Sequence, residues 1–215
     1  MKYFYTLLLI TLFGSIYANA ITSKPPYIKG WYCDSLNQKH EGYIRYDELN
    51  FTTFFYKENL NSKKEKFGLA DALCFSFDNR LFNKIREVRL SNGLWKSEKP
   101  EVFAEVIVEG KASVYRVFGK LQQGYFPTYN ANGAYRPGYG AGGVTQQYRY
   151  ETKQLVNYII KLSTNTEFEL LFKNKAKFQE QISGLLKDNE ALSSQISAKG
   201  YTLNNIKEIV EDYNK

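Results

Sequence analysis

Val102-Phe103-Ala104-Glu105-Val106-Ile107-Val108-Glu109-Gly110-Lys111-Ala112-Ser113-Val114-Tyr115-Arg116-Val117-Phe118 is the stretch that decides the fold. Val102, Ala104, Val106 and Val108 place an apolar side chain at every second position, the period of a strand. Glu109-Gly110 breaks the run and Ser113 to Phe118 resumes it, which predicts a β-hairpin. Short strands joined by short turns make an antiparallel sheet. Upstream, Phe51-Thr52-Thr53-Phe54-Phe55-Tyr56 is β-branched and aromatic, Leu73 to Phe77 follows, and Phe82 to Leu90 ends at Ser91-Asn92-Gly93. Downstream, Tyr148-Arg149-Tyr150 and Leu155 to Leu162 read as a second hairpin turning near Thr152-Lys153. The expectation is an antiparallel β-domain over 27–162, curled into a two-layer sheet or a partly open barrel.

After residue 162 the period changes. Phe178, Ile182, Leu185 and Leu186 share one face of a helix. Asp188 is placed to cap a second helix with Leu192 and Ile196 inward, and Gly200 to stop it in the left-handed conformation. Thr202 caps a third, with Leu203, Ile206, Val210 and Tyr213 on one stripe. None is long enough to be stable alone, so all three must pack on each other or on the sheet. The fold class is therefore α+β: a β-domain assigned to 21–162, and a helical tail over 163–215 packed on it.

Residues 1–20 read as a signal peptide. Lys2 supplies the positive start, Tyr3 to Tyr17 is uncharged, and Ala18-Asn19-Ala20 is an A-x-A cleavage pattern, so the mature chain is expected to begin at Ile21. No later apolar run is long enough to span a membrane. One His and two Cys among 215 residues exclude a four-ligand zinc cluster. The net charge of +7 suits an anionic envelope polymer. Signs alternate locally, however, as in Lys63-Lys64-Glu65-Lys66, which reads as a solvated mixed face. Nucleic acid is a poor partner for an exported chain without a concentrated basic stripe.

Several stretches resemble a family of exported proteins of unknown function widespread in Bacteroidota. They are His40-Glu41-Gly42-Tyr43-Ile44-Arg45-Tyr46, Cys74-Phe75-Ser76-Phe77-Asp78, Val108-Glu109-Gly110-Lys111-Ala112-Ser113-Val114-Tyr115, and Ile209-Val210-Glu211-Asp212-Tyr213-Asn214. The resemblance spans most of the mature chain. It implies neither an activity nor catalytic residues.

The sequence carries few catalytic constellations. His40 is the only histidine, and neither G-x-S-x-G nor S-x-x-K occurs. A Cys33–His40 dyad lacks an orienting third group, and His40 reads as a surface residue at a strand start. Residues 138–143 contain G-x-G-x-x-G, but Pro137 precedes it and β-like text follows, so the strand–turn–helix context of a dinucleotide site is missing. The carboxylates of Asp47, Glu48, Asp71 and Asp78 read as turn residues, with a paired-carboxylate hydrolase as the alternative. Asn50-Phe51-Thr52 matches a glycosylation sequon, but Phe51 reads as the start of a strand.

Residues 124–143 form a Gly/Tyr-rich loop joining two strands, read as a mobile connection dispensable for folding. Tyr125, Phe126, Tyr129, Tyr135 and Tyr139, with Arg136, are its candidate binding residues, because spaced rings stack on sugars or aromatic partners. Cys33 and Cys74 sit in strand-like text. Without a dense cysteine framework they are read as two buried thiols, a disulfide closing about 42 residues being the alternative. The chain is thus expected to be an exported, non-enzymatic envelope protein, an interaction or structural module needing no cofactor or metal. Its partner would be an envelope protein or a glycan. Alternatives are a glycan or ligand binder using the loop, and the hydrolase.

Overall fold

A computed structural model describes residues 24–91, 96–124 and 150–215. They form one antiparallel sheet and a cap of helices. The strands are β1 (Ile28–Asp34), β2 (Lys39–Tyr46), β3 (Thr53–Lys57), β4 (Glu65–Gly68), β5 (Ala72–Phe77), β6 (Arg80–Ser91), β7 (Lys96–Val108), β8 (Ala112–Gly124), β9 (Tyr150–Leu162) and β10 (Glu169–Leu170). Their order is β10-β9-β8-β7-β6-β5-β1-β2-β3-β4, and the sheet does not close. The α+β class and the antiparallel sheet stand as the sequence predicts. Among the described residues no helix is long and apolar enough to cross a membrane.

The sheet coils strongly. Phe54 of β3 lies 5.8 Å, ring to ring, from Phe103 of β7 although four strands separate them in sheet order. Coiling encloses an aromatic core in which Phe75 stacks on Phe82 at 4.6 Å and Phe54 lies 4.5 Å from Phe75. Such pairs add roughly 0.5–1.5 kcal/mol each beyond their buried area. β7 pairs with β8 only from Glu105 onward, so the two strands splay before it. The Phe51 carbonyl enters that split and accepts from the Phe103 N–H at 3.0 Å. A kink also marks β6, where Glu87 takes φ 55°. In that register it stands opposite Pro100, which has no N–H to donate to the ladder.

The hairpin that decides the fold is present, with β7 and β8 joined across Glu109–Lys111. The second expected hairpin is not. Residues 150–162 are one strand, paired with β8 over its whole length from Gly124↔Tyr150 to Ala112↔Leu162. Thr152-Lys153 offers neither Gly nor Pro nor Asn to turn on, and the two residues pair with Gln122 and Leu121 instead. β3 begins at Thr53, leaving Phe51 in the preceding turn.

Three helices follow: α1 (Lys175–Leu185), α2 (Glu190–Ala198) and, after a 3-10 turn at Leu203–Asn205, α3 (Ile206–Tyr213). Phe178, Ile182, Leu186, Leu192, Ile196, Ile206, Ile209 and Val210 are buried against Val108, Val114 and Ile160 of the sheet. Asn174 caps α1, accepting from Lys177 N–H at 3.2 Å. Asn189, one residue beyond the expected Asp188, caps α2 by accepting from Leu192 N–H at 3.1 Å. Only Asn189 stands three residues before the donor it must reach. Gly200 closes α2 at φ 67°, as predicted.

The last residues clamp the cap onto the sheet. Asn214 Oδ1 accepts from Ala112 N–H at 2.8 Å, and its Nδ2 donates to the Ala112 carbonyl at 2.9 Å. Asp188, free of capping duty, accepts from Lys111 Nζ at 2.6 Å and from the Tyr213 hydroxyl at 2.9 Å. Gly110 is required here, because a Cβ on it would stand 2.5 Å from Asn214 Nδ2.

Candidate functional site

Strand alternation sorts the side chains of β1–β4 onto two faces. Ile28, Tyr32, Ile44, Tyr46, Phe54, Tyr56 and Phe67 turn inward to the aromatic core. Their neighbours turn outward. Register then builds two rows across the outer face: Lys29 (β1), Tyr43 (β2) and Lys57 (β3), and beside it Arg45 (β2), Phe55 (β3) and Lys66 (β4). Each row sets a ring between two cations. A third line places Trp31 opposite Glu41.

Rings and cations hold one another. The Arg45 guanidinium lies 4.8 Å from the Tyr27 ring and 4.6 Å from the Phe55 ring. Lys57 Nζ sits 5.2 Å from Tyr27, Lys64 Nζ 5.9 Å from Phe55, and Lys39 Nζ 4.9 Å from Trp31. Cation–π contacts of this kind are worth roughly 0.5–1 kcal/mol at exposed sites. Among the described residues, Glu41 is the one carboxylate placed in these rows, and Lys39 pairs with it at 3.3 Å. Six cations, Lys29, Lys39, Arg45, Lys57, Lys64 and Lys66, thus face one acid and carry most of the net charge of +7.

Residues 63–66 are all exposed, as a solvated stretch should be, but they do not share one face. Lys66 pairs with Phe55 on the outer face, whereas Glu65 pairs with Tyr56 on the inner side. Charges that alternate along the chain separate by face, because strand side chains alternate too.

The cysteines are also corrected. Cys33 and Cys74 are disulfide-bonded, with Cα atoms 5.1 Å apart and the residues directly paired between β1 and β5. That seam is where the β1–β4 ribbon joins the rest of the sheet. A Cys33–His40 dyad is thereby excluded. His40 instead stacks on Tyr32 at 4.8 Å, and its Nε2 lies 2.9 Å from Asp34 Oδ2. That contact, with the Gln38 and Leu36 amides, holds the Asp34 carboxyl below its usual range.

Asp47, Glu48, Asp71 and Asp78 lie in the turns between strands, as expected. Glu105, buried in β7, accepts from Arg80 at 2.8 and 3.1 Å and from Arg116 at 2.6 and 2.9 Å. Arg80 also donates to Glu48 at 2.7 Å, and Gln154 donates to Glu48 at 2.6 Å. This network closes one end of the aromatic core beneath an open cleft of about 500 Å³ lined by Tyr46, Asp47, Glu48, Asp78, Arg80 and Gln154. Both glutamates are bound to Arg80. Asp71 accepts from Gly68 N–H at 2.8 Å, closing a turn, and Asp78 sits in the β5–β6 turn at φ 51°. In the sequon, Thr52 Oγ1 donates to Asn50 Oδ1 at 3.3 Å. No group of three or more potential metal ligands occurs among the described residues.

Tyr125, Phe126, Tyr129, Tyr135, Arg136 and Tyr139 lie outside the described residues, as does the glycine run 138–143. The strand ends flanking their segment, Gly124 and Tyr150, pair with each other, so the segment does join two neighbouring strands. The outer face of β1–β4 escaped the sequence reading. Its signal is in Lys39-His40-Glu41-Gly42-Tyr43-Ile44-Arg45-Tyr46, where odd positions carry charge or a ring and even positions from Gly42 on are buried. Compared with known proteins, the chain matches no family model, no curated protein and no solved structure.

Proposed function

We propose that this protein is an exported, non-enzymatic interaction module of the cell envelope that binds an anionic partner on the outer face of β1–β4. The observation that carries the reading is that face: six cations interleaved with Tyr27, Trp31, Tyr43 and Phe55 against, among the described residues, one carboxylate, that of Glu41. Cations at other places do have acid partners, as at Arg80, Arg116 and Lys111. Uncompensated like charges on one rigid face repel one another and focus a field that attracts a polyanion. Engagement of both Glu48 and Glu105 by arginine weighs against the hydrolase alternative. Export is supported by the signal-like residues 1–20 and by the disulfide, a bond that persists in oxidising compartments.

The test is sedimentation of the mature chain with washed envelopes. Binding should weaken as salt shortens the screening length from about 10 Å toward about 3 Å. The double variant Arg45→Glu/Lys57→Glu, with unchanged melting temperature, should stay in the supernatant. Equal retention of the variant would place the binding elsewhere.

A further inference from the structure

We infer that the anionic partner is a linear acidic polysaccharide, seated along the rows with one sugar stacked on Tyr43 and acid groups on Lys29, Lys57 and Arg45. The inference rests on the outer face of β1–β4 being the binding surface.

The first argument is spacing. Lys29 and Lys57 flank Tyr43 across three neighbouring strands, and Arg45 and Lys66 flank Phe55 in the same way. Two strand spacings come to about 10 Å. That is the length of two linked pyranose rings, so a chain carrying an acid on alternate sugars meets a cation at each one.

The second argument is the division of labour among the rings. Trp31, Tyr27 and Phe55 each carry a cation over the ring. No cation lies over Tyr43 among the described residues, and it stands half-buried in the middle of its row. It is therefore the open platform, and a sugar's C–H face stacks on such a ring. Arg45 does different work. Held between Tyr27 and Phe55 and engaged by no carboxylate among the described residues, its planar fork is pre-set to grip a carboxylate or sulfate through two N–H donors.

The third argument concerns the rival surface, an anionic membrane. Insertion needs protruding apolar side chains. Among the described residues the large exposed apolar side chains are Leu36, Leu60 and Phe172; none is a member of the rows, although the Leu60 carbonyl accepts from Lys57 Nζ at 2.8 Å. The rings of the face lie partly beneath its cations instead.

The experiment titrates four probes against the mature chain at low salt: a hyaluronan oligosaccharide, a neutral chito-oligosaccharide of equal length, polyglutamate, and phosphatidylglycerol vesicles. Hyaluronan should bind tightest and the neutral sugar not measurably. Tyr43→Ala should weaken hyaluronan about tenfold, as expected for a lost stacking contact, and Tyr43→Phe should restore it. Both variants should melt as the parent does. If polyglutamate or vesicles bind as tightly as hyaluronan, or if Tyr43→Ala changes nothing, the polysaccharide inference falls while the anionic face survives. If no anionic probe binds, the face itself is not the site, and both readings fall.

Discussion

Gly42 shows how one residue decides how closely its neighbours can pack. It stands opposite Gly30 in the β1–β2 register, and the Tyr56 ring lies across the gap with its hydroxyl donating to the Glu41 carbonyl at 2.8 Å. A Cβ at Gly42 would run into the backbone carbonyl oxygen of Lys57 and come 2.5 Å from that ring. Gly42→Ala should therefore destabilise the protein by about 1–3 kcal/mol, the usual range for overpacking, read from denaturant midpoints. A midpoint equal to the parent's would mean that the Lys57 backbone and the Tyr56 ring both move aside at no cost. Asp188 offers a test by pH. The Lys111 ammonium, followed by the Tyr213 hydroxyl, holds its carboxyl below the usual range. Because the folded value is the lower one, this stabilisation is present above the ordinary carboxylate range and is lost as pH falls through the folded value. Asp188→Asn should thus melt below the parent at pH 7, and the gap should close below about pH 4. A gap independent of pH would show that the asparagine fails for shape and not for charge.

At the scale of elements, the helical cap is held by its inner stripe and by one clamp. Ile209 is fully buried between helix and sheet, although the sequence reading placed Ile206 and Val210 on the stripe and passed over it. Ile209→Ala should cost about 2–5 kcal/mol, seen as a lower melting temperature. A loss under 1 kcal/mol would show that the cap refills the space. The elements legible from sequence share one property: their signal is local. The hairpin at Glu109-Gly110, the helical stripes and the Gly200 stop are written within a few neighbouring residues. What stayed hidden depends on pairing across distance. β4 is four residues, half of them charged, and is a strand only because Phe54 pairs with Phe67. The false turn at Thr152-Lys153 disappears for the same reason, since β8 supplies partners for the whole of β9. The candidate face was equally hidden. Rows such as Lys29, Tyr43 and Lys57 exist only once the register is known.

At the scale of the molecule, the disulfide sits where the candidate face meets its support. The sheet order puts β1–β4 on one side of the β1–β5 seam and the strands under the helical cap on the other, and Cys33–Cys74 crosses that seam. It links residues 41 apart in sequence, and the chain-entropy model assigns such a bond roughly 4 kcal/mol. The helical cap, by contrast, is fixed to β7, β8 and β9 through its own core and the Asn214 clamp. Cutting the bond should therefore loosen the molecule unevenly. In the double variant Cys33→Ser/Cys74→Ser, amide hydrogen exchange should accelerate most in β1–β4, while protection in α1–α3 and the adjoining β8 and β9 changes little. Affinity for the anionic probe should fall with it, because rows that are no longer pre-ordered must be ordered on binding. Uniform acceleration across the chain would show one cooperative unit, with the disulfide bracing the whole fold. Unchanged exchange in β1–β4 would show that backbone pairing with β5 and the aromatic core hold the face without it.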